Sequence, residues 1–453
     1  MNFQLFKMGA RNLSRNVRRN IATGSALGLG FAGLLAILGF QNQVEHSLRA
    51  YTVYGNRTGH LVLYKHDGLD MFETRPFEFG LDARDLSAIR RITASMNSVE
   101  FEGEQLIGPG LVSNGCQSLP FYAMGIDPQL DWKVQQHPYN LKWNAGLTSL
   151  DKGRELWEYP SDSPAISLSS GLAGFLKKEN PRDLGEDTGS SDPIDCQAAD
   201  ASTRLAADPI VQLASYSWNG LMTGGDAQVT GIFHTANAYY DSSAVRMPIS
   251  QLRKLYGTDG AAFYSVWLKD PSKVDLALAE MKSRVKANGL NVDVYAWNDA
   301  ALSPQYTGMS GFLMTLVTFI ASIIAVVVVL SVSNSASMTI IERSKEIGMM
   351  RSLGFTRRWI RILFLIEVAC VAAVSLVSGG VFGSGLIWLL NRAGFPLDLP
   401  MVLSGLTVKM SVSPAIVMNC AGSIFVLAIG SALFSVWRVA KTNVATLLTG
   451  TNH

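Results

Sequence analysis

The stretch IIAVVVVL at residues 323–330 is continuously apolar, and no charged side chain lies between Asp299 and Glu342. A helix needs about 20 apolar residues to cross about 30 Å of hydrocarbon, whereas a buried strand of a soluble protein runs for only about 4 to 8 residues. The apolar region around this stretch is too long for a soluble strand. It therefore predicts a transmembrane helix over residues 307–336.

Three further stretches have the same character. Between Ile362 and Asn391 the only charged residue is Glu367, and the predicted spans are residues 21–42, 360–391 and 412–437. The predicted fold class is therefore an α-helical membrane protein with four transmembrane helices. A large α+β extracytoplasmic domain, residues 43–306, is inserted between the first and second of them.

Basic residues set the predicted orientation, because Lys and Arg are retained on the cytoplasmic side during insertion. The segment 1–20 has five basic and no acidic residues, whereas the loop 392–411 has only Arg392, Lys409 and Asp398. Both termini are therefore expected in the cytoplasm of a multi-pass inner-membrane protein. A cleaved signal peptide is the alternative for the N-terminus, but its apolar stretch is longer than is typical of one.

The outer domain alternates strand and helix patterns at both of its ends. Regions 43–115 and 255–306 each predict strand, helix and strand, which indicates a small split α/β layer. Between them a β-rich middle is predicted over 116–254. It contains a polar stretch, 177–204, rich in Ser, Asp, Gly and Pro, which is typical of an exposed, mobile insertion.

The four cysteines divide by location. Cys370 and Cys420 lie in predicted spans, whereas Cys116 and Cys196 both lie in the outer domain. An external pair in an oxidising compartment favours a disulfide. Two buried thiols are the alternative.

The connection over 337–359 has good helix formers from Glu342 to Leu353. Its spacing places Ile347, Met350 and Leu353 on one side, and the other side carries Glu342, Lys345, Glu346 and Met349. Gly354 then supplies a stop, and Thr356 is a candidate N-cap for the next helix. An ordinary interfacial turn between two spans would need positive charge but no particular order of residues.

The order of residues in this connection resembles the E-R-x-x-E-I-G-x-x-R-x-L-G stretch of FtsX-like permeases, the MacB and LolC/LolE group of ABC transporters. The matching residues, with Met350 added from the same helix, are Glu342, Arg343, Glu346, Ile347, Gly348, Met350, Arg351, Leu353 and Gly354. The basic stretch GARNLSRNVRRN, Glu367 early in the third span and the outer-domain stretch MGIDP also resemble that family. The tail at 438–453 departs from it, since Asn443 and Val444 stand where Asp-Pro is common.

This resemblance implies a division of labour between subunits. The helix over 337–359 would dock on a separate ABC ATPase, and the permease would work with a second copy or a homologous permease. The chain has no GxxxxGK[ST] phosphate loop, so no cofactor is expected in this chain, and ATP and Mg would be bound by the partner ATPase. A periplasmic membrane-fusion or carrier protein and membrane lipid are further expected partners, but nucleic acid is not.

Individual residues of the connection have competing interpretations. Ile347, Met350 and Leu353 either contact the ATPase or pack toward the membrane. The charged residues Glu342, Glu346 and Arg351 are expected to form at least part of the ATPase contact. Glu367 is expected either to be solvated at the interface or to pair with a basic neighbour such as Arg361, because an unpaired charge near the bilayer is costly.

Three functions remain open from the sequence. The leading hypothesis is a permease that couples ATP hydrolysis by its partner to motion of the outer domain, for export or extraction of a hydrophobic or lipidated substrate. The alternatives are an FtsX-like regulator of a periplasmic partner and a membrane-anchored sensor. No catalytic or metal site is predicted, since the outer domain lacks HExxH, GxSxG and clustered Cys/His spacing.

Overall fold

The computed structural model of the chain describes residues 17–144, 149–185, 195–235, 238–394 and 409–439. Most of the predicted N-terminal helix 1–20, of the loop 392–411 and of the tail 438–453 lies outside these residues, as does the centre of the insertion 177–204. The chain divides into two compact units. One, which we call the membrane unit, comprises Met1–Glu45, Ser310–Phe395 and Thr407–His453. The other, which we call the outer unit, comprises His46–Met309 and Pro396–Leu406.

The described helices and strands differ strongly in length. The helices are α1 (Val17–Ala50), α2 (Gly68–Met71), α3 (Pro76–Phe79), α4 (Ala83–Ala94), α5 (Pro128–Gln135), α6 (Pro138–Trp143), α7 (Ser170–Phe175), α8 (Ala201–Ala207), α9 (Ala238–Asp241), α10 (Ile249–Tyr256), α11 (Val274–Ala287), α12 (Pro304–Glu342), α13 (Ser344–Ser352), α14 (Arg357–Ala393) and α15 (Pro414–Val439). The strands are β1 (Leu61–Lys65), β2 (Val99–Ser113), β3 (Ser118–Ile126), β4 (Leu150–Gly153), β5 (Ala165–Ser169), β6 (Ile210–Tyr216), β7 (Met222–Phe233), β8 (Ala244–Pro248), β9 (Phe263–Leu268) and β10 (Val292–Ala296).

Four helices in the described part of the chain are long and apolar enough to cross a membrane: α1, α12, α14 and α15. The four predicted spans are thereby confirmed as helices. Three of the helices extend beyond the predicted segment at both ends, whereas α15 begins at Pro414, two residues after the predicted start. Their shared core is apolar, with members from all four helices: Leu27, Phe31, Leu35, Val328, Val332, Ala372, Ile387, Ile424 and Ala428.

Glycines allow α1 and α14 to approach closely. A Cβ added at Gly379 would lie 2.4 Å from the carbonyl oxygen of Gly28, and one added at Gly24 would lie 2.9 Å from Oγ of Ser375. Small residues at four-residue spacing are the usual basis of tight helix packing in membranes, where no hydrophobic force drives one helix against another. Backbone contact at these positions therefore fixes how α1 and α14 cross.

The first part of the outer unit is an antiparallel sheet in the order β10-β1-β9-β2. Because β9 separates β1 from β2, and β1 separates β9 from β10, each strand-helix-strand unit is split by a strand of the other, as predicted. Helices α4 and α11 contribute Ile89 and Met281 to the core, around the buried ring of Trp267.

Strand β2 connects this sheet to the β-rich middle. Its first half pairs with β9 and its second half with β3 and β6. Beyond β3 the order is β8-β5-β7-β4, with parallel pairs β3/β8 and β5/β7. A second core lies under these strands, with Phe121, Leu168 and Leu252 among its buried members.

The insertion 177–204 is less detached than its composition predicted. Lys178 is buried, and its Nζ lies 3.2 Å from a carboxylate oxygen of Asp208. The backbone N–H of Arg182 donates to the carbonyl of Val229. The prediction of an exposed segment is therefore wrong for Lys178, whereas Lys177, Glu179 and Asn180 beside it are exposed. Farther along, Cys196 is joined to Cys116 by a disulfide.

His60 is a buried packing residue of the outer unit. Its Nδ1 accepts the backbone N–H of Leu268, and its ring meets that of Tyr54 edge-on. Burial, with further contributions from Arg49 and His137, lowers the pKa of His60 to about 3. The imidazole therefore stays neutral in the folded protein at physiological pH.

Candidate functional site

The connection between α12 and α14 begins where α12 ends. Arg343 separates α12 from α13 with φ −98° and ψ 17°. Its N–H still donates to Thr339 over 3.1 Å, and its carbonyl accepts from Ile347 over 2.9 Å. The chain thus changes direction at Arg343 while keeping its backbone hydrogen bonds, so that α13 is a separate short helix set at the end of a long one.

An apolar cluster holds α13 in place. Ile347 is 6 % exposed and packs with Ile340, Ile360, Phe364 and Val436, which come from α12, α14 and α15. Met350 packs at the edge of the same cluster, and Gly348 is buried beside Ile347. Burying an isoleucine side chain contributes about 1.5 to 3 kcal/mol. Ile347 is therefore an anchor of α13 on its own subunit.

A glycine turn ends α13. The N–H of Phe355 donates to the carbonyl of Met350, and the N–H of Gly354 donates to that of Arg351. Gly354 has φ +92°, so these bonds form a Schellman motif that needs a residue able to adopt positive φ. The predicted stop at Gly354 is confirmed. Thr356 occupies the following N-cap position, but its side chain makes no capping hydrogen bond.

The outward face of this region combines charge with exposed apolar surface. Glu342, Lys345 and Glu346 are exposed. Near them in sequence, three large apolar side chains are also exposed: Met349 is 58 % exposed, Leu353 78 % and Phe355 52 %. We call these six residues the exposed face. Apolar side chains clustered among charges are typical of a protein-binding surface.

The predicted stripe of Ile347, Met350 and Leu353 is wrong for its last member. Leu353 follows the end of α13, with φ −80° and ψ 4°, and the turn at Gly354 directs the chain away from the helix. Leu353 consequently belongs to the exposed face, whereas Ile347 is buried and Arg351 is half-buried. Met349 and Phe355 were not among the predicted site residues. The helical spacing that groups Met349 with Glu342, Lys345 and Glu346 could have indicated the first of them, and the position beside the glycine turn the second.

Glu367 forms a buried ion pair within the membrane unit. Its Oε2 lies 3.1 Å from Nη1 of Arg343, and the two side chains are only 7 % and 14 % exposed. An ion pair with a basic neighbour was one of the two predicted alternatives. The basic neighbour in this pair is Arg343, not Arg361, which was given as the example. Arg343 is therefore a structural residue that ties the α12–α13 junction to α14.

A small cavity lies beside this pair. Its volume is about 30 Å³, and polar side chains including Asn20, Thr23, Ser335 and Thr339 line it together with Glu367. The rest of its wall is apolar, with Leu27, Val332 and Phe364 among the lining residues. The pairing with Arg343 is therefore the main compensation for burying the acidic group.

Among the described residues of the outer unit, Ser170, His234 and Asp151 resemble a nucleophile with its base. The hydroxyl of Ser170 lies 3.1 Å from Nδ1 of His234, whose Nε2 lies 3.6 Å from Asp151. The carboxylate of Asp241, however, also accepts from this hydroxyl and from the N–H of Gly171. Because Asp241 occupies the donor that would stabilise an oxyanion, the arrangement serves as a cap for the start of α7.

One group of three possible metal ligands occurs among the described residues: His66, Asp67 and Asp293. The ring of His66 lies 3.0 Å from Asp293, whose carboxylate also accepts the N–H of Asp67. His66 and Asp67 are exposed, and hydrogen bonding within the group accounts for its geometry.

Comparison with known proteins bears mainly on the C-terminal part of the chain. Residues 312–444 match the family model described as FtsX-like permease C-terminal. This segment contains α13, all six residues of the exposed face and the Arg343–Glu367 pair. The chain therefore carries an FtsX-like permease domain.

Two similar relatives carry transporter names. An uncharacterized ABC transporter permease of Methanocaldococcus jannaschii is 26 % identical over 157 residues, which are 34 % of this chain and 39 % of the relative. The macrolide export ATP-binding/permease protein MacB of Brucella abortus is 26 % identical over 141 residues, 31 % of this chain and 22 % of that protein. The matched parts thus span less than half of these relatives.

Among solved structures, the periplasmic region of MacB from Actinobacillus actinomycetemcomitans is similar to 55 % of this chain. The match covers 94 % of that structure, with 14 % sequence identity and a TM-score of 0.34.

Proposed function

We propose that this chain, with its FtsX-like permease domain at residues 312–444, is the permease subunit of an ABC transporter whose ATPase is a separate protein. The observation that carries the proposal is the exposed face within that domain. Its apolar side chains have no packing role in the described chain comparable to that of Ile347, and they stand on a helix that the cluster around Ile347 holds in place.

The composition of the exposed face suits a protein partner. Large apolar side chains such as Leu353 supply binding energy when a partner removes them from water, at about 1.5 to 3 kcal/mol each. Charged neighbours such as Glu346 contribute mainly to the choice of partner and to the rate of encounter. By the distribution of basic residues, this face lies in the cytoplasm, where ATP is available to the partner.

Mechanical coupling is the mechanism we propose for the permease. Helix α12 runs for 39 residues without interruption, from Pro304 to Glu342, which at 1.5 Å per residue is about 58 Å. A rod of this length is almost twice the hydrocarbon thickness of a bilayer. Displacement of α13 by the ATPase would therefore act on the end of a continuous helix that begins soon after the last outer strand, β10.

The substrate class follows from this arrangement as a proposal. A subunit that moves its outer domain can act on a hydrophobic or lipidated molecule held in the outer leaflet or the periplasm, in cooperation with a second permease copy or a homologous permease. A membrane-fusion or carrier protein would receive the substrate. The same motion would serve an FtsX-like regulator, and identification of the outer partner separates the two roles.

Co-purification from native membranes tests the proposal. The tagged chain is solubilised in several mild detergents, and recovered proteins are identified by mass spectrometry and assayed for ATPase activity. We expect an ABC ATPase with the unmodified chain and at least a tenfold lower recovery with Glu346→Lys, by loss of charge complementarity. Lys409→Glu is the matched control, because it reverses an exposed charge in the opposite loop.

Two outcomes would overturn the proposal. One is the absence of any ATPase with the unmodified chain in all detergents. The other is full recovery of the ATPase with the Glu346→Lys variant and also with a separate Leu353→Asp variant. Equal thermal unfolding midpoints of the variants and the unmodified chain establish that a lost partner does not reflect misfolding.

A further inference from the structure

Helix α6 of the outer unit packs against the outer end of α1. Nδ1 of His46, in the last turns of α1, lies 2.7 Å from the hydroxyl of Tyr139. The imidazole of His46 also stacks on the indole of Trp143 at 4.4 Å. Two contacts from one side chain thus hold α6 beside the helix that leaves the first predicted span.

The level of this contact follows from the helix rise. The predicted span ends at Asn42, so His46 lies about 6 Å and Arg49 about 10 Å farther along the continuous helix α1. The headgroup layer on each side of a bilayer is about 5 to 7 Å thick. The side chains of His46 and Arg49 therefore leave α1 at the depth of the headgroups or just above it.

Other aromatic groups gather around Arg49. The guanidinium of Arg49 lies over the rings of Tyr139, at 5.7 Å, and Trp297, at 5.1 Å. Trp297 in turn contacts Tyr306 at 4.5 Å, in the first turn of α12. Trp and Tyr are enriched where spans leave the hydrocarbon, because their rings are apolar and their edges polar. This group therefore has the character of an interfacial belt.

The segment 128–144 extends this belt with an exposed surface. Trp132 is 51 % exposed and Leu141 64 % exposed, and Lys133 and Lys142 are exposed beside them. Nζ of Lys142 lies 4.7 Å from the ring of Trp143. Aromatic and aliphatic groups flanked by lysines are the composition of segments that lie at a membrane surface.

Two exposed lysines give this surface positive charge, and Glu100 of β2 lies at its edge, with a carboxylate oxygen 3.7 Å from Nε2 of His137. Asp131 is the only acidic residue of the segment 128–144, and it is buried, with Oδ1 2.6 Å from Nε of Arg57. Both side chains of that pair are 2 % exposed. The outward face consequently presents lysine without a neighbouring carboxylate from the same segment, which favours anionic headgroups.

We propose that the segment 128–144 is an interfacial anchor. It places Trp132 and Leu141 in the headgroup layer of the leaflet that faces the outer domain, with Lys133 and Lys142 on lipid phosphates. Lipid is the occupant because the surface continues the belt formed by Arg49 and its aromatic neighbours at the end of α1. The anchor would restrain this edge of the outer domain during motion. The inference does not depend on the proposed ATPase.

Fluorescence quenching in nanodiscs tests the anchor. The full chain carries Cys370→Ser and Cys420→Ser, which leaves its disulfide intact, and a single added cysteine, Trp132→Cys or Leu141→Cys, is labelled with NBD. Tyr216→Cys is the matched control, since Tyr216 is 69 % exposed on β6 of the same unit. The nanodiscs contain phosphatidylcholine with a headgroup nitroxide lipid, with or without phosphatidylglycerol.

We expect the nitroxide to quench the label at positions 132 and 141 at least twofold more than at position 216. Phosphatidylglycerol should increase this quenching, and Lys133→Glu with Lys142→Glu should remove the increase. Equal quenching at all three positions overturns the anchor. Protection from aqueous iodide without nitroxide quenching also overturns it, and indicates a protein partner instead of lipid.

Discussion

The ion pair between Arg343 and Glu367 gives a quantitative prediction. Its atoms are 3.1 Å apart, and the side chains are 14 % and 7 % exposed. Removing one member of a fully buried pair leaves the other charge without compensation, which typically costs about 3 to 5 kcal/mol. The cost is smaller where the remaining charge can reach the membrane interface. We therefore expect Glu367→Gln and Arg343→Met each to lower the free energy of unfolding by about 2 to 3 kcal/mol.

The double variant is the informative measurement. With both charges removed, neither side chain bears an uncompensated charge, and replacing a buried pair by neutral groups is often nearly neutral. We expect Arg343→Met/Glu367→Gln to lie within about 1 kcal/mol of the unmodified chain, which implies a coupling energy of at least about 3 kcal/mol. Unfolding by SDS in mixed dodecylmaltoside micelles, followed by circular dichroism, provides the four free energies.

Additive effects would refute this reasoning. If the double variant loses the sum of the two single effects, Arg343 and Glu367 do not stabilise each other. If both single variants are as stable as the unmodified chain, the pair is solvated and contributes little, as exposed pairs do. Lys345→Met is the control, because it removes an exposed cation from the same connection.

Three further predictions concern packing, titration and the glycine turn. Gly379→Ala should lower the unfolding midpoint in micelles, because the new Cβ would lie 2.4 Å from the carbonyl of Gly28, whereas Gly385→Ala meets no atom within 4 Å and should not. His60→Asn should remove about 2 kcal/mol of the stability difference between pH 7.5 and pH 5, measured by chemical unfolding, because the unfolded chain takes up a proton near pH 6.5 and the folded His60 only near 3. Gly354→Ala should accelerate amide exchange at the end of α13, at a cost of about 1 kcal/mol, whereas Gly354→Asn should do so less, because φ is +92° there.

Each of these three has a contradicting result. Equal effects of alanine at positions 379 and 385 would mean that α1 and α14 do not meet at glycine. For His60 the sign is fixed by a lowered folded pKa, so that stability falls as pH falls from 6.5 toward 3. A variant with an unchanged pH dependence would contradict this assignment. Equal exchange in both variants at position 354 would contradict the positive-φ requirement.

The four membrane helices were predictable from the sequence because one physical requirement decides them. Hydrocarbon tolerates few charged side chains and needs about 20 residues per crossing, so uncharged stretches locate spans directly. Helix ends were less predictable. Helix α1 continues to Ala50 and α12 begins at Pro304, since a helix does not stop where the hydrocarbon stops when further turns find packing partners in the outer unit.

The partner of Glu367 was not predictable from spacing along the chain. Arg361 lies six residues earlier on the same helix, which is a rotation of about 600° and leaves the two side chains roughly 120° apart. They therefore lie on different faces of α14. Arg343 comes from the junction of α12 and α13, and only the packing of the helices brings it to Glu367.

The exposed face was predictable in part. The order of charged residues around Glu346 indicated the connection correctly, but helical periodicity grouped Leu353 with Ile347. That periodicity applies only while the helix lasts, and α13 ends at Ser352. A residue just beyond a glycine turn takes its direction from the turn, which separates exposed Leu353 from buried Ile347.

Site-specific photo-cross-linking tests the central claim most directly. A benzoylphenylalanine at position 353 stands on the exposed face, and one at position 377 replaces Val377, which is 70 % exposed on the span α14. Irradiation of native membranes should join position 353, but not position 377, to a protein that contains an ATP-binding phosphate loop. Absence of that product at position 353, in membranes where the ATPase is present, would contradict the assignment of α13 and its exposed face to ATPase docking.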